Sequence, residues 1–300
     1  MELVAVARST SRGFCEERAL VLHAVGIGSQ LAWDGEQWLL LVDFASEAAA
    51  RGQLERYAVE NPARTPSPPA LQTHRGAWSG SLVYALVLLG VGWAAGRHLD
   101  DVSWWDAGAL ISSALREGQW WRAVTALTLH VDIAHLVGNI GFGAVFGLLA
   151  SQLLGPGVAW GTILLSAALA NVATAWLAPR DHVSLGASTA VFAALGLLAS
   201  YSWRSRGAQR TRWAYRWAPL IAGVALLAFT GAGGERTDVL AHLLGFAMGV
   251  AAGVAHAAYP SRAASTHTSR RNSIIQAVVA LGACALLIVS WTFALVAYPD

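Results

Sequence analysis

The chain has 300 residues, of which 55% are hydrophobic and only 13% charged, too apolar for a domain wetted on all sides. Its net charge is +2, carried on arginine with no lysine, which gives no support to nucleic-acid binding. Two cysteines, Cys15 and Cys284, are too few for a disulfide framework or a cysteine metal site, and no His-Glu-x-x-His pattern is present, so neither metal nor cofactor is expected.

The first residues, Met1 to Arg12, lack a basic start followed by a long apolar core and are not expected to act as a signal peptide. A small cytosolic α+β domain is predicted over residues 1–61: a helix over Glu16 to Ala24, strands over Ser29 to Ala32 and Gln37 to Phe44 around Asp34-Gly35, and a helix over Ser46 to Asn61 capped by Ser46. Residues 62–75 hold four of the nine prolines and read as a linker, because proline removes the donors that helices and ladders need.

From there on, apolar runs able to cross about 30 Å of hydrocarbon recur. Seven are predicted: Trp78 to Gly96, Ile133 to Leu154, Val158 to Leu177, Ser188 to Trp203, Trp213 to Thr230, Val239 to Ala258 and Ile274 to Tyr298. The intervening Arg97 to Arg122 carries Trp104, Trp105, Trp120 and Trp121 and is expected to lie along the headgroup boundary, with Trp121-Arg122 as an interfacial anchor. Arginines 204, 206, 210, 212 and 216 after the fourth run, and 262, 270 and 271 after the sixth, place those loops in the cytoplasm. The N-terminus is then cytoplasmic by parity, in a multi-pass protein of the inner (plasma) membrane.

Polar groups inside apolar runs are costly, so their positions carry information. The second run holds His135 and Asn139, four apart on one helical face; the fourth opens with Ser188; the sixth holds His242 just after Asp238. At 1.5 Å per residue the fourth run reaches about 24 Å, so Ser188 starts below the outer surface, and His242, about 6 Å from the start of its run, is at a matching depth. Small residues at four-residue spacing, Gly186, Ala190 and Ala194 on one run and Gly245, Gly249 and Gly253 on the other, would let those two helices approach closely. Taken singly, Ser188 would be a packing serine, and His135, Asn139, Asn171 and Thr174 interhelical glue.

As a set, Trp121-Arg122, His130 with His135 and Asn139, Gly186-Ala187-Ser188, and Ala241-His242 with Gly245 and Gly249 resemble the motifs of the rhomboid intramembrane serine proteases. The resemblance runs from about Arg97 to Tyr259. It implies a six-span catalytic core, assigned here to residues 76–259, with residues 260–300 adding a cytoplasmic loop and a seventh transmembrane helix. It further implies a Ser188-His242 dyad with no third carboxylate, and an oxyanion hole that includes His135 and Asn139. Two residues depart from the family pattern: Thr189 stands where glycine follows the serine, and Phe192 replaces a tyrosine, keeping a ring for His242 but losing its hydroxyl. The expected substrates are single-span membrane proteins with helix-weakening residues at the cleavage point. The alternatives are a catalytically silent rhomboid-like protein that binds transmembrane clients, favoured by Thr189, and a transporter, disfavoured by the absence of an inverted repeat or a broken pair of helices.

Overall fold

The computed structural model describes residues 2–61, 74, 76–96, 103–206, 213–231, 238–258 and 266–298. Most of the proline-rich stretch 62–75 lies outside them, as do Arg97, Arg210, Arg212, Arg262 and Tyr259. The chain divides into two compact units, residues 1–70 and 71–300.

In the first unit, strand β1 (Leu3–Ser9) leads to helix α1 (Arg12–Ala24), strands β2 (Ser29–Trp33) and β3 (Trp38–Asp43), and helix α2 (Glu47–Glu60). The sheet is antiparallel in the order β1-β3-β2, and Leu22, Leu40, Val42 and Ala50 form the core between it and the helices. β1 is absent from the sequence reading because a bulge between Ala5 and Ala7 breaks the two-residue alternation by which a strand is recognised. Ser46 does not cap α2 with its side chain: a 3-10 turn over Phe44–Ser46 runs straight into the helix, and the residue keeps helical rather than extended backbone angles.

The second unit is helical. Helix α3 (Trp78–Gly96) is followed by a folded segment comprising α4 (Trp104–Gly108), β4 (Leu110–Ile111), α5 (Ser112–Arg116) and α6 (Arg122–Thr125). Then come α7 (Ile133–Leu154), α8 (Pro156–Leu177), the short β5 (Val183–Ser184), α9 (Ser188–Arg206), α10 (Trp213–Gly231), α11 (Val239–Ala258) and α12 (Thr266–Ala297). Among the described residues five helices are long and apolar enough to cross a membrane: α3, α7, α8, α11 and residues Arg270–Ala297 of α12. The other two predicted spans, α9 and α10, are helices of 19 residues. From Thr189 to Ala199 α9 is almost wholly buried among its neighbours, so it has little need of a lipid-facing apolar surface.

The segment before α7 is folded into a cap. Leu110, Leu115, Ala123 and Ala126 pack with Ala175 of α8, and β4 pairs antiparallel with β5. Trp121-Arg122 is not an interfacial anchor. Arg122 is fully buried, its guanidinium donating to Gln119 Oε1 (2.6 Å), to the carbonyls of Ala109 (2.6 Å) and Asp106 (2.7 Å), and to the hydroxyl of Tyr298 (2.7 Å). Five donors in a rigid fork can satisfy several carbonyls at once, and that is how a guanidinium without a carboxylate partner becomes tolerable in the interior.

Candidate active site

Helices α9 and α11 cross with almost no gap between their backbones. A β-carbon on Gly245 would stand 2.5 Å from the carbonyl oxygen of Thr189; one on Gly249 would collide with the carbonyl of Ala193, and one on Gly253 with Ser200 Oγ. The contact face of α9 is therefore Thr189, Ala193 and Ser200, one position along from the predicted Ala190 and Ala194. Those two alanines, together with Ala193, join Ile163, Ala150 and Leu127 in the core. Gly186 precedes α9 and has another task. Its φ is +130°, where side chains are strained, and a β-carbon there would stand 2.7 Å from His135 Cε1 and 3.6 Å from Ser188 Oγ.

The close crossing brings Ser188, the first residue of α9, to His242, one turn into α11: Oγ and Nε2 are 2.7 Å apart. His242 is buried, and the ring of Phe192 packs against its imidazole at 4.5 Å between centroids. Thr189 is buried with its Cγ2 toward Gly245, so its added methyl fills the seam between the helices.

His135 reaches the same region from α7, beside Gly186, and Asn139 follows one turn later on that helix. Asp132 caps that helix by accepting from the His135 amide (2.7 Å). Asn139 is buried, and its Nδ2 has no partner among the described residues. Its backbone carbonyl accepts from the Tyr84 hydroxyl of α3 at 2.8 Å. A buried amide donor with no acceptor is costly unless something else arrives to accept from it.

His130 lies in the loop before α7, 5.1 Å between centroids from His135, and its Nε2 accepts from the amide of Ala187 at 3.3 Å. An accepting Nε2 requires the neutral ring. Burial, aided by neighbouring His135, pushes the His130 pKa down to about 4, against smaller opposing effects of the Thr128 backbone and Asp132. The amide of Gly186 donates to the carbonyl of Ala126 (2.9 Å), so both residues before Ser188 are held by the cap segment.

Two supporting groups escaped the sequence reading. Asp238 accepts from the Ala241 amide (3.0 Å) and lies 3.0 Å from His182 Nε2 in the loop before α9. Burial opposes its ionisation, but hydrogen bonds from Ser184, Ala241 and His182 together hold its pKa below the usual carboxylate value. Tyr84 is the other; it is the one phenol in the first span, and attention to polar groups in all spans would have found it. Asn171, expected as interhelical glue, donates from Nδ2 to the carbonyl of Ala123 (2.9 Å), whereas Thr174 bonds only within its own helix, to Ala170. Among the described residues no cluster of histidine, cysteine and carboxylate side chains is arranged to hold a metal.

The family model for the Rhomboid domain matches residues 117–259, which hold each of these groups except Tyr84. The chain is 33% identical over 147 residues to Rhomboid-like protease 3 of Toxoplasma gondii, covering 48% of this chain and 54% of that protein. It is 29% identical over 96 residues to the putative rhomboid protease YdcA of Bacillus subtilis (32% and 48%), and 31% identical over 190 residues to RHOMBOID-like protein 2 of Arabidopsis thaliana (61% and 58%). The matches span about half the length of these relatives. With several helices fit to cross a bilayer, the chain is a multi-pass membrane protein whose residues 117–259 match the Rhomboid domain and are similar to rhomboid proteases.

Proposed function

We propose that the protein is an intramembrane serine endopeptidase that hydrolyses peptide bonds in transmembrane segments, with Ser188 as nucleophile and His242 as general base. The observation that carries this reading is the 2.7 Å contact between Ser188 Oγ and His242 Nε2. A serine hydroxyl attacks a peptide carbonyl only when a base removes its proton, and a neutral imidazole at hydrogen-bonding distance can do so near neutral pH. Oγ then bonds to the carbonyl carbon, and the carbonyl oxygen becomes an oxyanion. Three donors could meet it: the amide of Ser188, which as the first residue of α9 has no acceptor within its helix; the unpartnered Nδ2 of Asn139; and the ring of His135 beside Gly186. The His242 imidazolium next gives its proton to the leaving amine. In the second half-reaction His242 deprotonates a water that attacks the acyl-serine.

Substrates would be single-span membrane proteins whose helices unwind readily, since a scissile carbonyl in an intact helix is hydrogen-bonded and hidden. By the arginine distribution, residues 2–61 and the loop between α9 and α10 are cytoplasmic, the dyad is toward the opposite face, and the membrane is the inner (plasma) membrane. The silent client-binding alternative rested on Thr189, whose methyl lies toward Gly245.

Purified protein in liposomes with a model single-span substrate tests the proposal. Cleavage should be lost in both Ser188→Ala and His242→Ala. Undiminished cleavage by Ser188→Ala would remove the serine from the reaction, and substrate capture without cleavage by the native chain would favour the client-binding reading.

A further inference from the structure

A cavity of about 560 Å³ lies over α8, between α3 and α12, and includes neither Ser188 nor His242 in its lining, though Ala187 is part of it. Its wall is apolar along most of its length, with Val83 and Leu88 of α3, Ile163 of α8 and Leu287 of α12, and its inner end is closed by Thr128 and Ala187. The other end is polar. There Gln276 of α12 joins two helix ends, donating to the carbonyl of Leu154 (2.7 Å) and accepting from the amide of Val158 (2.9 Å), and Asn272 and His74 complete the rim. This rim is at the turn between α7 and α8, the membrane face opposite the dyad.

We propose that this cavity holds one acyl chain of an anionic glycerophospholipid. The shape of the cavity points to its occupant. From Gln276 to Leu287 the helix rises about 16 Å, close to the roughly 15 Å of hydrocarbon in one leaflet. A single extended chain suits both length and volume. Charge decides the headgroup: Arg270 lies one turn before Ser273 on the cavity face of α12 and is exposed, and Arg271 beside it is also exposed. A phosphate at the rim would meet these guanidinium groups and the Gln276 end of the wall.

The test uses the full chain in liposomes doped with phosphatidylglycerol carrying a photoreactive diazirine midway along one acyl chain, or with phosphatidylcholine carrying the same chain. Irradiation followed by residue-level peptide mapping should place label on Val83, Leu88, Ala280, Ala283 and Leu287, several-fold more from phosphatidylglycerol. Arg270→Glu should abolish that preference, and Ala280→Phe should reduce label at the cavity residues. Label confined to the outward-facing Leu281 and Ile288, or equal label from the two lipids, would overturn the assignment.

Discussion

The carboxylate of Asp238 bridges two elements that carry the candidate dyad: one oxygen caps α11 through the Ala241 amide, and the other lies 3.0 Å from His182 Nε2 in the loop leading to Ser188. Asp238 thus acts on His242 through its helix and on Ser188 through β5.

Replacing Asp238 with Asn keeps the side chain's shape but loses a charged acceptor, so stability should fall by about 1 to 3 kcal/mol. The pH dependence has a definite sign. Because the folded state lowers this carboxyl's pKa, its stabilisation is complete above the usual carboxylate pKa of about 4 and is lost as pH falls through the lower folded value. Thermal unfolding of native and Asp238→Asn protein between pH 7 and pH 3 should therefore show two curves that converge at the acid end; parallel curves would mean that the charge contributes nothing.

His130 gives an acid sensitivity of the same sign in a higher pH window. The folded protein holds it neutral with a pKa of about 4, whereas the unfolded chain protonates it near 6.5. The unfolded state then binds more protons between those values, so stability should decline as pH drops through 6.5 and continue to decline toward 4. His130→Leu removes this dependence but leaves the Ala187 amide without its acceptor next to Ser188. We expect it to flatten the unfolding profile from pH 7 to pH 4 while reducing proteolysis at least tenfold, measured on the same preparation.

These relationships separate what the sequence discloses from what it hides. The bounds of α7 and α11 are legible because apolar length follows directly from hydrocarbon thickness, and the common depth of Ser188 and His242 follows from helix rise. The fold of the cap segment is hidden for a physical reason. Four tryptophans and an arginine have the composition of a membrane-surface strip, but Arg122 is satisfied by backbone carbonyls, and no composition reveals where carbonyls will point. Contacts separated by long stretches of chain, such as Tyr84 to Asn139 or Arg122 to Tyr298, leave no local periodicity to read. The face of α9 that meets α11 was misplaced by one residue, because a helix rotates 100° per position and small residues occur on both of its candidate faces.

Tyr298 connects α12 to the cap. Its hydroxyl accepts from Arg122, and Trp291 one helical stretch earlier donates to Thr128 Oγ1 at 3.1 Å. Tyr298→Phe should cost about 1.5 to 3 kcal/mol, the range for a hydrogen bond to a charged group, because the buried guanidinium loses an acceptor without being removed. Arg122→Ala should be far more damaging, since Asp106 and Ala109 would lose their buried donor together. Thermal unfolding monitored in detergent distinguishes the two, and equal melting temperatures for the native and Tyr298→Phe proteins would show that the hydroxyl is dispensable.

The seam between α9 and α11 offers the sharpest separation of geometry from stability. A methyl on Gly249 has no space, since it would collide with the Ala193 carbonyl, a backbone group that cannot rotate aside. Gly249→Ala must therefore push the helices apart, and a separation of even 1 Å takes Ser188 Oγ beyond hydrogen-bonding distance of His242 Nε2. Proteolysis should fall by about 100-fold or more. Gly282 of α12 is the control: a β-carbon there meets nothing within 4 Å, so Gly282→Ala should leave activity unchanged and raise stability by about 0.5 to 1 kcal/mol through helix propensity alone. Measuring cleavage rate and melting temperature for both variants decides the matter, because native-like cleavage by Gly249→Ala would mean that the close crossing of these helices is not what holds the serine and histidine together.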